Sequence, residues 1–97
     1  MKMESSTLFA AEKRLLICED VVNLSELKLH YRLEAVGDAV CSCFCISISS
    51  DEDHALVRAG SDPLRALAYY RRIVDGGVTP CTLKDIFSDM QYLDENQ

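Results

Sequence analysis

Three cysteines alternate with single residues in the middle of the chain, at Cys41, Cys43 and Cys45. In an extended strand such alternation places the side chains on one face, with Cα atoms roughly 6.5–7 Å apart. The thiolate is the reactive form of cysteine, and nearby cations favour it. The spacing therefore allows a reactive or redox-sensing thiol face. It is a weak pattern for zinc, because Cys41 and Cys45 are too far apart to share one ion and no C-x-x-C pair is present.

The alternative use of these cysteines is structural, and it is the interpretation that we favour. Cysteine packs as a small apolar residue in strands, so the face could be covered by a second subunit or another protein. The surface of interest, whether an interface or a reactive-thiol face, comprises the three cysteines and four predicted neighbours: His30, Arg32, Leu56 and Arg58. We predict no catalytic residues, no cofactor and no metal ligands.

Two strands that position this face can be predicted from alternation. Apolar residues recur at every second position from Leu27 to Leu33, and again, with Ser42 as the one polar member, from Val40 to Ile48. A two-residue turn at Gly37-Asp38 would join the strands and set Tyr31 opposite Phe44. The same register would set Arg32 opposite Cys43, His30 opposite Cys45 and Glu34 opposite Cys41.

A second turn, at Asp51-Glu52, predicts another strand that returns along the cysteine strand. It would pair Ile48 with Ala55, Ile46 with Val57 and Phe44 with Ala59. His54, Leu56 and Arg58 would then share the thiol face.

Two helices are predicted by their start signals. Asp62-Pro63 and Thr79-Pro80 each combine a capping residue with proline at the first helical position, and Gly76-Gly77 ends the first helix. The apolar positions of the first helix are Leu64, Leu67, Tyr70, Ile73 and Val74. Those of the second are Leu83, Ile86, Phe87 and Met90.

The segment from Thr7 to Val22 carries mixed signals, because its first half favours helix and its second half favours strand. We interpret about Arg14 to Val22 as a further strand, joined to the next through Asn23–Ser25. The predicted fold is α+β: an antiparallel sheet of three or four strands with two C-terminal helices packed on one face as an αα-hairpin. Residues 1–97 form one domain, with 1–7 and 94–97 expected to be disordered.

The composition restricts the class of partner. Asp and Glu outnumber Lys and Arg by 16 to 10, which gives a net charge of −6 and disfavours nucleic acid and anionic membranes. The same charge makes a DNA-binding helix-turn-helix the least favoured hypothesis, since the second helix would expose an acidic surface. The odd number of cysteines and the lack of a secretory signal at the N-terminus predict a reduced, cytoplasmic protein.

The C-terminal two-thirds of the chain also carries a short motif. From about Tyr31 to Leu93 the order of strands, then Asp62-Pro63-Leu64, then the stretch Val78-Thr79-Pro80-Cys81-Thr82-Leu83-Lys84-Asp85-Ile86, resembles a family of short uncharacterised bacterial proteins that is classed only as a domain of unknown function. The resemblance implies no activity. From the residues alone we predict a non-enzymatic protein-interaction or regulatory module that acts as a homodimer or on a cytosolic partner. A thiol-based redox or metal-responsive protein is the alternative, and DNA binding ranks third.

Overall fold

The computed structural model describes residues 13–37 and 42–95, with side chains as far as Tyr92. Four strands are followed by two helices: β1 Lys13–Leu24, β2 Leu27–Gly37, β3 Ser42–Ser49, β4 His54–Arg58, α1 Pro63–Asp75, a short 3-10 helix Pro80–Thr82, and α2 Leu83–Glu95. The predicted α+β fold is confirmed. The predicted disorder of residues 1–7 lies outside the described residues, and α2 continues through Asp94 and Glu95.

The strands form one antiparallel sheet in the order β1-β2-β3-β4. The strand predicted from Arg14 is therefore confirmed, and it extends to Leu24. It turns into β2 at Ser25-Glu26, and Ser25 takes a positive φ of 57° to make this turn. Ile17 is an extra residue in β1, because the pairing skips from Leu16 to Cys18.

The predicted register of the β2–β3 hairpin is wrong. Tyr31 pairs with Ile48 instead of Phe44, and Phe44 lies opposite Ala35. The displacement is four residues along β3, an even number, so each side chain keeps the face that alternation predicts. Alternation therefore fixed the faces, but it could not fix the partners without the length of the connection. The predicted turn residue Asp38 lies outside the described residues.

The register of the second hairpin is confirmed. Ile48 pairs with Ala55 and Ile46 pairs with Val57. The Ala59 amide donates to the Phe44 carbonyl at 2.7 Å, which continues the predicted pairing beyond the end of β4.

The first helix begins where its capping residue predicts, whereas Thr79-Pro80 starts a 3-10 turn without a side-chain capping hydrogen bond and α2 begins three residues later, at Leu83. The Asp62 carboxylate accepts hydrogen bonds from the amides of Leu64 and Arg65 at 3.0 and 3.4 Å. Gly77, with φ of 62°, reverses the chain after α1, a conformation that glycine adopts without steric cost. The start of α2 follows the 3-10 turn at Pro80.

The buried face of α1 differs from the predicted stripe. Leu64 is 77% exposed and Leu67 is also exposed. Tyr69 and Tyr70 are both buried, whereas the predicted stripe contained only Tyr70 of the two. The face that packs on the sheet consists of Ala66, Tyr69, Tyr70 and Ile73.

One core lies between the helices and the sheet. Leu29, Tyr31, Leu33, Ile46 and Ile48 point from the sheet toward Ile73, Leu83, Phe87 and Met90 of the helices. The Tyr31 hydroxyl donates to the Val78 carbonyl at 2.9 Å, which ties the central strands to the loop between the helices. Among the described residues, no helix has both the length and the apolar character needed to cross a membrane.

Candidate functional site

The face of the sheet that is turned away from the helices carries the predicted thiol surface. By strand alternation and register, Cys43 and Cys45 of β3 share this outer face with His30 and Arg32 of β2 and with two residues of β4, Leu56 and Arg58. Cys41 lies outside the described residues. The predicted residues are thus on one face, but their neighbours differ from those expected.

The corrected register removes the cationic neighbours that β2 was expected to supply. Cys45 lies between Glu34 and Arg58, and Cys43 lies opposite Val36. His30 and Arg32, which were predicted to face Cys45 and Cys43, face Ser49 and Ser47. Cys45 therefore has the carboxylate of Glu34 beside it, where the imidazole of His30 was predicted.

Burial also acts against a reactive Cys45. Only 5% of this residue is exposed. Desolvation raises the pKa of its thiol, the charge and hydrogen bond of Cys43 raise it further, and Arg58 and Arg14 lower it only in part. At neutral pH this environment favours the thiol over the thiolate, which is the opposite of what a nucleophilic cysteine requires.

Charged residues link β1 to β2 on the outer face. Glu19 contacts His30 and lies 3.9 Å from Arg32, and Arg14 forms an ion pair with Glu34 at 3.0 Å. These groups hold the two strands in register along a row of alternating charge. They are partly solvated, so each pair contributes about 1 kcal/mol or less.

No group of three or more His, Cys, Asp or Glu side chains in the described part of the chain could hold a metal ion together. Cys18, Cys43, Cys45 and Cys81 are all free thiols.

A different surface stands out on β1, the strand at one edge of the sheet. Leu15, Leu16, Ile17 and Val21 are 64%, 42%, 44% and 50% exposed. We call these four residues, together with the backbone edge of β1 that pairs with no strand of the described residues, the β1 edge surface. With Leu24, β1 contributes five of the nine large apolar side chains that are exposed in the described residues, so the exposure is concentrated on this strand.

The β1 edge surface is held in place by contacts with the core. Cys18 and Val22 pack against the core from the helix side of the strand. The Tyr70 hydroxyl, from α1, donates to the Asp20 carboxylate at 2.7 Å. In the described residues β1 is paired on its β2 side alone, so its other edge presents backbone groups that a further strand could bind.

Sequence reasoning missed this surface. The available signal was the run Leu15-Leu16-Ile17-Cys18, which has no polar alternation and is bounded by charged pairs. Identifying it as an open edge required the strand order, which single-sequence patterns do not supply. No family model, curated protein or solved structure matches the chain. The family resemblance therefore stays a prediction.

Proposed function

We propose that this protein is a non-enzymatic interaction module of the cytoplasm, which binds another polypeptide through the β1 edge surface. The supporting observation is a 12-residue edge strand that carries exposed Leu15, Leu16, Ile17 and Val21 beside an open backbone edge. A reduced cytoplasmic setting fits the free thiols of the described residues.

Two physical arguments connect this strand with binding. Folded proteins usually protect long edge strands, because an open edge is a template for another strand. An incoming strand gains main-chain hydrogen bonds from the edge, and the alternate side chains give it specificity. Burial of the exposed apolar side chains of β1 under a partner adds a favourable hydrophobic contribution to binding.

The opposite edge of the sheet provides an internal comparison. β4 spans only His54–Arg58, and its Val57 is buried. A strand of five residues offers few hydrogen bonds to a partner, and short edge strands are a common protection against pairing. The sheet therefore has one protected edge and one open edge, which favours β1 as the binding side.

The thiol surface takes second place in this proposal. Cys45 is buried and its pKa is raised, so the central thiol of this face is not activated as a nucleophile.

The proposal can be tested by site-specific photocrosslinking in the cells that make the protein. A photoreactive phenylalanine replaces Leu16 in the β1 edge surface, and the matched control carries it at Leu64, which is still more exposed but lies on α1. We expect discrete crosslinked products from position 16 and not from position 64. Equal products from both positions, or none from position 16, would contradict the proposal.

A further inference from the structure

The first eight residues of β1 are complementary to themselves when read in opposite directions. The strand opens with two basic residues, Lys13 and Arg14, continues with four uncharged residues, and then carries two acidic residues, Glu19 and Asp20. When two such strands lie antiparallel, the basic pair of one faces the acidic pair of the other, twice per complex. A sequence of this kind can bind a second copy of itself.

We propose that β1 pairs with β1 of a second copy of this chain, in antiparallel orientation about a two-fold axis between Leu16 and Ile17, so that the two sheets form one continuous sheet of eight strands. This inference rests on the proposed function and names its partner. The cross-strand pairs are Lys13 with Asp20, Arg14 with Glu19, Leu15 with Cys18, and Leu16 with Ile17.

The bulge at Ile17 supports this register. Residues that pair directly across two strands must share a face of the sheet. The β1–β2 register places Lys13, Leu15, Cys18 and Asp20 on the helix side, and Arg14 and Glu19 on the outer side. The three proposed pairs that do not contain Ile17 therefore each join two residues of the same face. In a strand without a bulge, odd and even positions point to opposite faces, so a register that pairs odd with even positions would not match the faces.

The pairing also extends the charge row of the outer face. In each copy Glu19 lies opposite Arg32 of β2. Arg14 of the second copy would lie on the other side of Glu19, so that the row reads Arg32, Glu19, Arg14 across the interface. Opposite charges on adjacent strands stabilise a sheet, and like charges directly opposite destabilise it.

Neighbouring registers lose this complementarity. Sliding one strand by two residues toward the acidic end places Leu15 opposite Asp20 and Leu16 opposite Glu19, so apolar groups meet carboxylates. Sliding it by one residue pairs the helix-side Leu15 with the outer-side Glu19 and breaks the match of faces. The proposed register alone satisfies both charge and face among these choices.

The experiment must detect the β1–β1 pairing directly, because a bulge and a lysine on an edge strand can also prevent pairing with another strand. Two charge-reversal variants supply such a test. R14E would place a carboxylate opposite Glu19 at both symmetric positions, and E19R would place a cation opposite Arg14 at both. When the two variants are mixed, each reversed residue meets an opposite charge again. R71E on α1 and D89R on α2 are the matched controls, since both sites are exposed and far from β1 in the chain.

The readout is sedimentation velocity of the full chain under reducing conditions over a range of protein concentrations. We expect a dimer for wild type, R71E and D89R, and dimerisation weaker by about tenfold or more for R14E and E19R alone. The mixture of R14E and E19R should recover a dimer that contains both variants. Circular dichroism of each variant controls for folding, because Arg14 and Glu19 also pair with Glu34 and His30 of their own chain.

Three results would overturn self-pairing. They are a wild type that is monomeric at all concentrations, a dimer that neither charge reversal weakens, and a mixture of folded variants that stays monomeric. The outcome for the proposed function remains separate. If wild type is monomeric and position 16 crosslinks to a different protein or to residues 1–12 of its own chain, self-pairing fails. A different protein in that crosslink leaves the interaction module intact, whereas the chain's own N-terminus removes both proposals.

Discussion

The hydrogen bond between Tyr70 and Asp20 allows a quantitative prediction about how β1 is attached to the rest of the fold. The Tyr70 hydroxyl lies 2.7 Å from the Asp20 carboxylate and 3.3 Å from the Tyr31 carbonyl. A hydroxyl has one proton to donate. The Asp20 carboxylate is the stronger acceptor of the two, because it is charged and lies at the shorter distance. Tyr70→Phe removes this donor from a residue that is only 1% exposed.

The expected cost follows from the type of bond. Hydrogen bonds to charged groups contribute about 1.5–3 kcal/mol, so Tyr70→Phe should lower the free energy of unfolding by about that amount. Asp20→Asn keeps an acceptor oxygen but loses the charge, and should cost about 1 kcal/mol. Since Tyr70→Phe removes the same bond that Asp20→Asn weakens, the double variant should be more stable than the sum predicts, by about 1 kcal/mol.

Urea denaturation followed by circular dichroism measures these values. All variants are compared at one protein concentration, because association would otherwise add to the apparent stability. Leu64→Ala is the control, since Leu64 is 77% exposed and its change should stay within about 0.5 kcal/mol. The reasoning is refuted if Tyr70→Phe is as mild as Leu64→Ala, or if the effects at Tyr70 and Asp20 simply add.

Three further predictions concern the core, the buried phenol and the thiols. Leu83→Ala should lower the free energy of unfolding by about 2–5 kcal/mol, because Leu83 is fully buried. Leu64→Ala, on the exposed surface of α1, should change it by less than about 0.5 kcal/mol in the same urea assay. Burial raises the pKa of Tyr31 and of Tyr70 above the ordinary value of 10.0, so the unfolded chain releases these protons first and the free energy of unfolding should fall as pH rises past about 10; stability that is unchanged up to pH 12 would contradict this. Of the four described cysteines, iodoacetamide at neutral pH should label exposed Cys81 first and Cys45 last, as peptide mapping would show, and rapid labelling of Cys45 would revive the redox alternative.

Much of the fold follows from local signals in the sequence. Alternation identified β2 and β3 and assigned their faces, since the period of two is a property of the strand itself. The pair Asp62-Pro63 predicted the start of α1. The Asp62 carboxylate accepts a hydrogen bond from an amide of the first helical turn, which has no carbonyl partner within the helix. The turn at Asp51-Glu52 fixed the register of β3 with β4, as few residues separate those strands.

The features that sequence reasoning missed depend on distant parts of the chain. The partner of Tyr31 depends on the length of the β2–β3 connection, and an error of four residues leaves every face unchanged. Leu64 was predicted as a core position because it fits the helical period. In the structure α1 packs on the sheet through the adjacent face, which carries Tyr69.

The thiol surface and the β1 edge surface illustrate the same limit. Cys45 was expected beside His30, and the correct register gave it Glu34. The run that begins at Leu15 was recognisable as a strand, but its open edge became visible only when β1 proved to be the outermost strand. The proposed function depends on strand order, which no short motif encodes.

Hydrogen exchange of the β1 backbone at low and high protein concentration tests the central claim most directly. If β1 is the binding edge for a second copy, amides within Lys13–Leu24 should exchange more slowly as concentration rises, while those of the other edge strand, His54–Arg58, should not change. Exchange in β1 that is independent of concentration, or slowing in β4 instead, would contradict the account.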